Sequence, residues 1–364
     1  MNMIPLVKPF IAPEEAMMPA IKEILYSGYI AEGEKVYEFE SVFGDYIQNP
    51  NVLSVNSGTA ALHIALMLIG VGPGDEVIST ALTAEPTNVV IKLTGAKVVW
   101  ADVDVRTGLI SPESIRAKIT DKTKAIMVVH YAGMVCNMDE INKISSETGI
   151  PVIEDTAHAM GSGYGGKPVG SNSAYTCFSL QAIKHLTTVD GGFLALKDPE
   201  RLSDGRKLRW FGLDKKLPRL QNDIKFPGYK YHMNNVNATI GLVQMKYIDR
   251  VIARHKENGR YFDENLKGIA GVTLLPYYAH TEPSYWLYTM KVENRPDFIK
   301  MMAENGIMAS ELHLRNDRHS IFSESKCELP ALDEFYSTFV HIPCGWWLTD
   351  EEREKIVDLI KKGW

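Results

Sequence analysis

The sequence predicts an α/β protein with a mostly parallel sheet that is covered by helices on both faces. From about residue 52 to residue 155, short apolar segments alternate with amphipathic ones. Glycine and proline separate these segments at turns such as residues 70–74. This alternation is typical of buried parallel strands joined by helices. In such sheets ligands bind beyond the carboxyl ends of the strands.

The first elements follow from their apolar periodicity. Residues 13–27 and 34–47 each place apolar side chains on one face of a helix. A short strand at residues 52–55 then precedes a long apolar helix, which begins at residues 57–59. The alternating elements that follow are strands at residues 76–79, 97–101, 125–129 and 151–155, with helices at 86–93, 112–119 and 138–148. After a turn at residues 190–192, residues 193–196 form an antiparallel strand.

The length of 364 residues favours two domains. We expect a large ligand-binding domain at residues 1–250, N-terminal helices included, and a smaller C-terminal α+β domain at residues 251–364. One long helix, from about Asn235 through Ile248, would join them. The smaller domain would hold helices near residues 295–304 and 350–361.

Composition narrows the functional classes. The formal net charge is -6, and acidic and basic residues are interspersed, which argues against a nucleic-acid partner. The four cysteines show neither a CxxC motif nor metal-ligand spacing, so we expect no metal and a reduced, cytoplasmic setting. We find neither an apolar segment long enough to span a membrane nor a secretion signal, and expect no membrane partner.

Lys184 is the residue whose surroundings are most informative. It lies in an apolar stretch before a Gly-Gly turn, where desolvation lowers the pKa of an amine and leaves more of it free to react. Asp155 ends a predicted strand, and Ser57 begins a predicted helix. A lysine amine, a carboxylate and a helix start are what pyridoxal phosphate (PLP) requires, for its aldehyde, its pyridine nitrogen and its phosphate.

Each residue also has a purely structural interpretation. A serine or threonine at residues 57–59 caps a helix without any ligand. Asp155 could only cap the element that follows it, and His158 could be a buried structural histidine. His185, next to the lysine, is better explained by structure than by chemistry.

Taken together, the motifs resemble the DegT/DnrJ/EryC1/StrS family of sugar aminotransferases. The resemblance covers nearly the whole chain, and its motifs occur in the family's order at residues 56–62, 154–159, 178–184 and 191–192. It implies a fold-type I PLP enzyme with a mostly parallel seven-stranded sheet. It also implies a homodimer with shared active sites, glutamate as amino donor and pyridoxamine phosphate as the intermediate form of the cofactor.

The resemblance also assigns roles to individual residues. Lys184 bonds covalently to the cofactor, Asp155 pairs with its pyridine nitrogen, and His158 stacks on its ring. The phosphate is held at the helix start and the end of a later strand, by Ser57, Gly58, Thr59 and Ser179. Where the family usually has Gly-Tyr-Asn-Tyr-Arg, residues 228–232 read Gly-Tyr-Lys-Tyr-His. We therefore expect Lys230 to reach the phosphate of the neighbouring subunit in place of the asparagine.

Two further departures concern the substrate. Residues 83–86 read Thr-Ala-Glu-Pro where relatives often have an aromatic residue, so Glu85 would face the substrate. Residues 313–319 are rich in polar and cationic groups. They form either a solvated loop or a loop that binds an anionic group of the substrate, through His313, Arg315, Arg318 and His319.

The acceptor is expected to be a nucleotide-linked keto-deoxysugar or an eight-carbon sugar acid of the Kdo type, aminated at C8. Either product would serve cell-surface or lipopolysaccharide-type glycan synthesis. Two alternatives remain open. Some relatives are sugar 3-dehydratases with histidine in place of the reactive lysine, and His185 is one residue from Lys184. The other alternative is a non-enzymatic regulator with the same fold.

Overall fold

The computed structural model describes residues 3–171, 173–215 and 217–364. Its main feature is a seven-stranded sheet in which only β9 runs antiparallel to its neighbours. In spatial order the strands are β1 (Val52–Val55), β9 (Gly192–Leu196), β8 (Tyr175–Ser179), β5 (Val152–Asp155), β4 (Thr123–Val129), β2 (Glu76–Thr80) and β3 (Lys97–Ala101). The predicted mostly parallel seven-stranded sheet is confirmed.

Helices cover the sheet, and most begin and end within two residues of the predicted positions. Those before β9 are α1 (Glu14–Tyr26), α2 (Glu34–Tyr46), α3 (Gly58–Ile69), α4 (Glu85–Leu93), α5 (Pro112–Lys118) and α6 (Met138–Thr148). Those after it are α7 (Pro199–Leu208), α8 (Asn235–Met245), α9 (Ile248–Asn265), α10 (Arg295–Glu304), α11 (Pro330–Thr338) and α12 (Asp350–Lys362). In this described part of the chain, no helix is long and apolar enough to cross a lipid bilayer.

The start of α3 shows how the sequence builds a site-forming element. The Ser57 side chain accepts a hydrogen bond from the Ala60 amide at 3.1 Å, which is the geometry of an N-cap. Gly70 ends the helix with φ of 82°, a left-handed conformation that glycine adopts without strain. The helix is nearly all buried between these two caps. Its N-terminus therefore lies directly after the carboxyl end of β1.

The C-terminal part of the chain forms a second layer of structure with its own core. An antiparallel sheet of β10 (Val272–Leu274), β12 (Tyr288–Val292) and β13 (Phe339–Ile342) packs against α10 and α12. The N-terminal Ile4 belongs to this core and bridges to Ile307. A smaller antiparallel sheet joins β6 (Gly163–Tyr164), β7 (Lys167–Pro168) and β11 (Thr281–Glu282). The exact domain boundary at residue 250 stays a prediction.

The single long helix expected from Asn235 through Ile248 is wrong. The structure has two helices, α8 and α9, separated at Lys246 and Tyr247. The amides of these two residues bond to carbonyls three residues back, which tightens the last turn of α8. Periodicity alone missed this break because neither residue is a glycine or proline.

A buried ion cluster fixes the region where α2, β1 and α7 meet. Arg209, 2% exposed, donates to Glu32 at 2.8 Å, to Glu40 at 2.7 Å and to the Ser54 carbonyl at 2.8 Å. Lys215 also pairs with Glu32. Removing a single partner from such a cluster strands an opposite charge away from water, which is far more costly than the net value of the pair.

We expect Arg209→Leu to lower the free energy of unfolding by about 3–5 kcal/mol, because two buried carboxylates lose their buried partner and keep only the more exposed Lys215 and Arg206. Urea denaturation followed by circular dichroism measures the change. Arg106→Ala is the matched control, since Arg106 pairs with Asp104 on the surface and its removal should leave the free energy of unfolding nearly unchanged. Equal losses in both variants would show that burial does not control the strength of the Arg209 cluster.

Candidate active site

Lys184 lies in the turn that follows β8, with its amine in a largely desolvated position. Its Nζ atom is 4.2 Å from the centroid of the Trp286 ring. Desolvation lowers the pKa of Lys184 to about 8, although the nearby Asp155 carboxylate opposes the shift. A substantial fraction of this amine is therefore neutral near pH 8, as a nucleophile requires.

Asp155 ends β5 and is buried beneath the same cleft. Its Oδ2 accepts a hydrogen bond from the Thr87 hydroxyl at 2.7 Å, and its Oδ1 accepts one from the Ala157 amide at 3.0 Å. Burial raises the pKa of Asp155, whereas the two hydrogen bonds and the Lys184 charge act in the opposite direction. A cationic ring nitrogen arriving here would find a carboxylate already oriented by two donors.

His158 packs against Trp286 in the same cleft. Its ring stacks on Trp286 with centroids 3.9 Å apart and an interplanar angle of 15°, and its Nδ1 accepts from the Ala132 amide at 3.4 Å. Desolvation and the nearby Lys184 charge hold the pKa of His158 well below its usual value. The ring is therefore neutral and presents a flat, uncharged surface.

The residues expected to bind the phosphate meet at the junction of α3 and β8. A Cβ atom on Gly58 would lie 2.8 Å from the Ser179 Cβ, so only glycine allows this close approach. The Ser57 hydroxyl is engaged as the helix cap, whereas the first amides of a helix have no intrahelical partner. Gly58, Thr59 and Ser179 thus form a cradle suited to a phosphate.

The contacts that hold Lys230 beside this cradle are made by its backbone and not by its side chain. Its carbonyl accepts from the Asn56 amide group at 3.3 Å, and it forms a bridge with Trp210. The Lys230 side chain is exposed. Its contact with a phosphate therefore remains a prediction.

The loop at residues 313–319 divides into parts with different surroundings. The His313 ring is parallel to that of His158, with centroids 6.0 Å apart, so it belongs to the cleft. Arg315 is buried and bonded to Asp317 at 2.7 Å and also to Asp333. Because these carboxylates already neutralise its guanidinium, we leave Arg315 out of the proposed anion-binding group.

The outer part of the loop is more open. Arg318 is exposed and lies 5.4 Å from the centroid of the Tyr336 ring. His319 approaches the Glu85 carboxylate at 3.8 Å. Glu85 contributes electrostatically to the pKa of His313, which burial lowers to about 4. Glu85 and His319 thus lie near each other, the Glu85 charge acts on His313, and together with the exposed Arg318 they make up the proposed substrate entrance.

Sequence reasoning missed several residues of the cleft. Thr87, on α4, orients Asp155 and is itself bonded to Thr83 at 2.9 Å. Trp286 comes from a distant segment and contacts both Lys184 and His158. Tyr131 lies between the rings of His158, His313 and His341. The position of Thr87 just beyond the end of β2 is the one signal that could have been used.

The residues present fit PLP. A carboxylate for the ring nitrogen, a neutral stacking ring, a glycine-lined phosphate cradle and a partly neutral lysine converge from separate elements. This fold and this site define a PLP-dependent enzyme of fold type I.

Comparisons with known proteins agree. The model of the DegT/DnrJ/EryC1/StrS aminotransferase family matches residues 12–361, and the chain belongs to this family. The sugar aminotransferase CalS13 from Micromonospora echinospora is 37% identical, with complete coverage of both chains and a TM-score of 0.96. The uncharacterized protein MJ1066 from Methanocaldococcus jannaschii is 32% identical over 99% of this chain and 97% of its own.

The relatives also support the cofactor. The putative sugar aminotransferase Spr1654 from Streptococcus pneumoniae is 29% identical over 99% of this chain. The match covers 98% of the chain in its PLP form, with a TM-score of 0.90, and 97% of the chain in its PMP form, with a TM-score of 0.91. The protein is thus a PLP-dependent sugar aminotransferase.

We expect Thr87→Val to weaken PLP binding about tenfold, because a hydrogen bond to a charged group contributes roughly 1.5–3 kcal/mol. Without this donor the pKa of Asp155 rises further, so its carboxylate is lost at a higher pH as the solution is acidified. The defect should therefore be larger at pH 6 than at pH 8. Equilibrium titration of the apoenzyme with PLP measures it.

Thr156→Val provides the control for this prediction. Thr156 is also buried, but its hydroxyl donates to the Cys177 carbonyl at 2.7 Å rather than to Asp155. The Thr156→Val enzyme should bind PLP with the same affinity and pH dependence as the parent enzyme. A Thr87→Val enzyme with unchanged affinity at both pH values would contradict the role given to Asp155.

Proposed function

We propose that the enzyme moves an amino group from glutamate to a keto or aldehyde carbon of a sugar, with Lys184 as the reactive lysine. The observation that carries this proposal is the desolvated Lys184 amine beside Asp155, in a cleft that ends at a phosphate cradle. When bound, PLP supplies an aldehyde that takes up the amino group and a ring that draws electrons from the reacting carbon.

The chain's own residues then perform distinct tasks. The neutral amine of Lys184 would accept the proton that leaves the substrate carbon and would hold it for return later in the reaction. Asp155 holds the ring nitrogen in its protonated form. His158 covers one face of the ring without adding charge, since its low pKa keeps it neutral. Partial burial of Lys184 limits access of water to the reacting atoms.

The proposed acceptor is a nucleotide-linked keto-deoxysugar or a Kdo-type sugar acid aminated at C8. The entrance supports a substrate with both hydroxyl and anionic groups. Arg318 offers an exposed cation, whereas Glu85 and His319 offer hydrogen-bonding groups. The product would serve cell-surface or lipopolysaccharide-type glycan synthesis, from a cytoplasmic enzyme that draws on glutamate.

Exposed apolar side chains in two neighbouring segments support a homodimer. Tyr26, the last residue of α1, is 85% exposed, Tyr29 is 78% exposed, and Leu220 is fully exposed. Glu32, three residues after Tyr29, pairs with Lys215, five residues before Leu220. Exposed apolar groups of this kind favour coverage by a second subunit. Lys230 would then extend toward the partner's phosphate.

We expect the purified protein to be yellow, to bleach with glutamate and to regain its colour when a keto sugar is added. Lys184→Ala should abolish both the absorbance of the lysine-bound cofactor and turnover, because no other residue supplies this amine. Spectroscopy at equilibrium and a coupled transaminase assay measure the two effects. Adding nucleotide-linked sugars and free sugar acids separately identifies the acceptor class.

Lys167→Ala, at an exposed lysine in a small surface sheet, is the control and should keep colour and turnover. A Lys184→Ala enzyme that retained the absorbance band and full turnover would refute the assignment of the reactive lysine. A parent protein that stayed yellow with glutamate yet bleached with another amino acid would refute only the donor.

We expect Lys230→Ala to weaken PLP binding about tenfold while the protein remains a dimer, because one charge-assisted contact to phosphate is lost. Titration with PLP and sedimentation equilibrium measure the two quantities. Lys225→Ala, at an exposed lysine of the same segment, should change neither. A monomeric parent protein that binds PLP with full affinity would overturn the shared-site model.

A further inference from the structure

Trp286 makes three contacts in and around the site of Lys184. Its ring stacks on His158 at 3.9 Å, and the Lys184 Nζ atom lies 4.2 Å from its centroid. Its Nε1 atom donates a hydrogen bond at 2.9 Å to the carbonyl of Ile183, the residue before Lys184. The side chain is 2% exposed. The indole thus touches both the amine of Lys184 and the backbone from which that side chain extends.

We propose that Trp286 is a further catalytic residue, whose indole face receives the ammonium form of Lys184 during the reaction and holds it within the site. This inference rests on the proposed function of Lys184. A lysine amine on a flexible four-carbon stem has many orientations once it is no longer bonded. The face of an indole attracts a cation within about 6 Å and restricts those orientations.

The indole acts at one stage only, while Lys184 carries the additional proton. The neutral Lys184 amine takes a proton from the substrate carbon and becomes an ammonium, and the electron pair of the broken C–H bond would be drawn into the conjugated system that a bound PLP supplies. The ammonium then gives the proton back, the returned proton forms a new C–H bond with that electron pair, and Lys184 becomes neutral again. Trp286 gains and loses no proton, and stabilises only the charged form between these transfers.

The backbone next to Trp286 is held in an unusual conformation. Tyr285 has φ of 51°, in the left-handed region that bulky residues seldom adopt. Its hydroxyl donates to Asp263 Oδ2 at 2.7 Å, and Asp263 also accepts from Tyr277 at 3.0 Å and Tyr288 at 2.9 Å. Such a conformation persists when its surroundings over-determine it. Asp263 is therefore a positioning residue, which acts on Lys184 through Tyr285 and Trp286.

A close approach on the other side leaves Tyr285 and Trp286 little room. A Cβ atom on Gly133 would lie 2.8 Å from the backbone nitrogens of both residues, and one on Gly259 would lie 2.2 Å from the Tyr285 ring. The Ser284 amide donates to the Gly133 carbonyl at 3.1 Å. The segment is thus clamped between two glycines, which fixes the direction of the indole.

The test uses Trp286→Phe, which keeps an aromatic face but weakens its attraction for a cation and removes the bond to Ile183. Apoenzyme is mixed with PLP and reduced with borohydride at timed intervals, and the amount attached to Lys184 is measured by peptide mass. We expect trapping at pH 6 to become up to about tenfold faster, because a weaker attraction for the cation leaves more of the Lys184 amine neutral, and tenfold is the factor for a change of about 1.4 kcal/mol.

A second measurement follows the amino-donor half-reaction with glutamate deuterated at its α-carbon. In Trp286→Phe the rate constant should fall while the KM for glutamate stays unchanged, and the isotope effect should rise because proton transfer becomes more rate-limiting. Asp263→Asn should shift both readouts in the same direction to a smaller extent. A simple loss of folded protein lowers the rate without changing the isotope effect.

Trp347→Phe is the matched control, since its indole also donates to a carbonyl, that of Pro5, at 3.1 Å, but lies outside the cleft. It should leave trapping and the isotope effect unchanged. Parent-like values for both Trp286→Phe and Asp263→Asn would overturn the inference and leave the aminotransferase proposal intact. Failure of the parent enzyme to be trapped at Lys184 would overturn the proposed function itself.

Discussion

The site depends on one constraint, the lateral pairing of β5 with β8. These parallel strands place their carboxyl ends side by side, so Asp155 and the turn that holds Lys184 enter the same cleft. Burial shifts the pKa values of these two groups in opposite directions, because it disfavours the charged form of each. The pKa of the amine falls, the pKa of the carboxyl rises, and their mutual attraction limits both shifts. Everything else in the cleft supports this pair.

The supporting residues come from elements that are far apart in the chain. Thr87 on α4 fixes the carboxylate, Gly58 at the start of α3 opens the phosphate cradle, and Trp286 ahead of β12 lies against the amine. Each is held by packing or hydrogen bonds that do not involve the cofactor. A site built in this way is largely preorganised, so that binding energy is not spent on ordering its side chains.

Much of the fold was predictable because buried parallel strands and their helices leave a clear periodic pattern. Lys184, Asp155 and Gly58 were also predictable, since each follows a strand end or begins a helix, where ligands bind. Trp286 was not, because its contact with Lys184 joins residues about a hundred positions apart and has no local signature. Nor was the pairing of Arg315 with Asp333, because Asp333 comes from a later helix. The break between α8 and α9 lacks the glycine or proline that usually marks one.

The antiparallel strand β9 has a consequence for how the molecule is assembled. β1 lies at the edge of the central sheet and pairs there with β9, although 139 positions separate Ser54 from its partner Phe193 in the chain. The helix proposed to hold the phosphate follows β1 directly. During synthesis, therefore, more than half of the chain must be made before β1 can pair with β9 and the start of α3 can come to lie beside β8. The phosphate cradle is encoded early in the sequence, yet it is among the last parts of the large sheet to be completed.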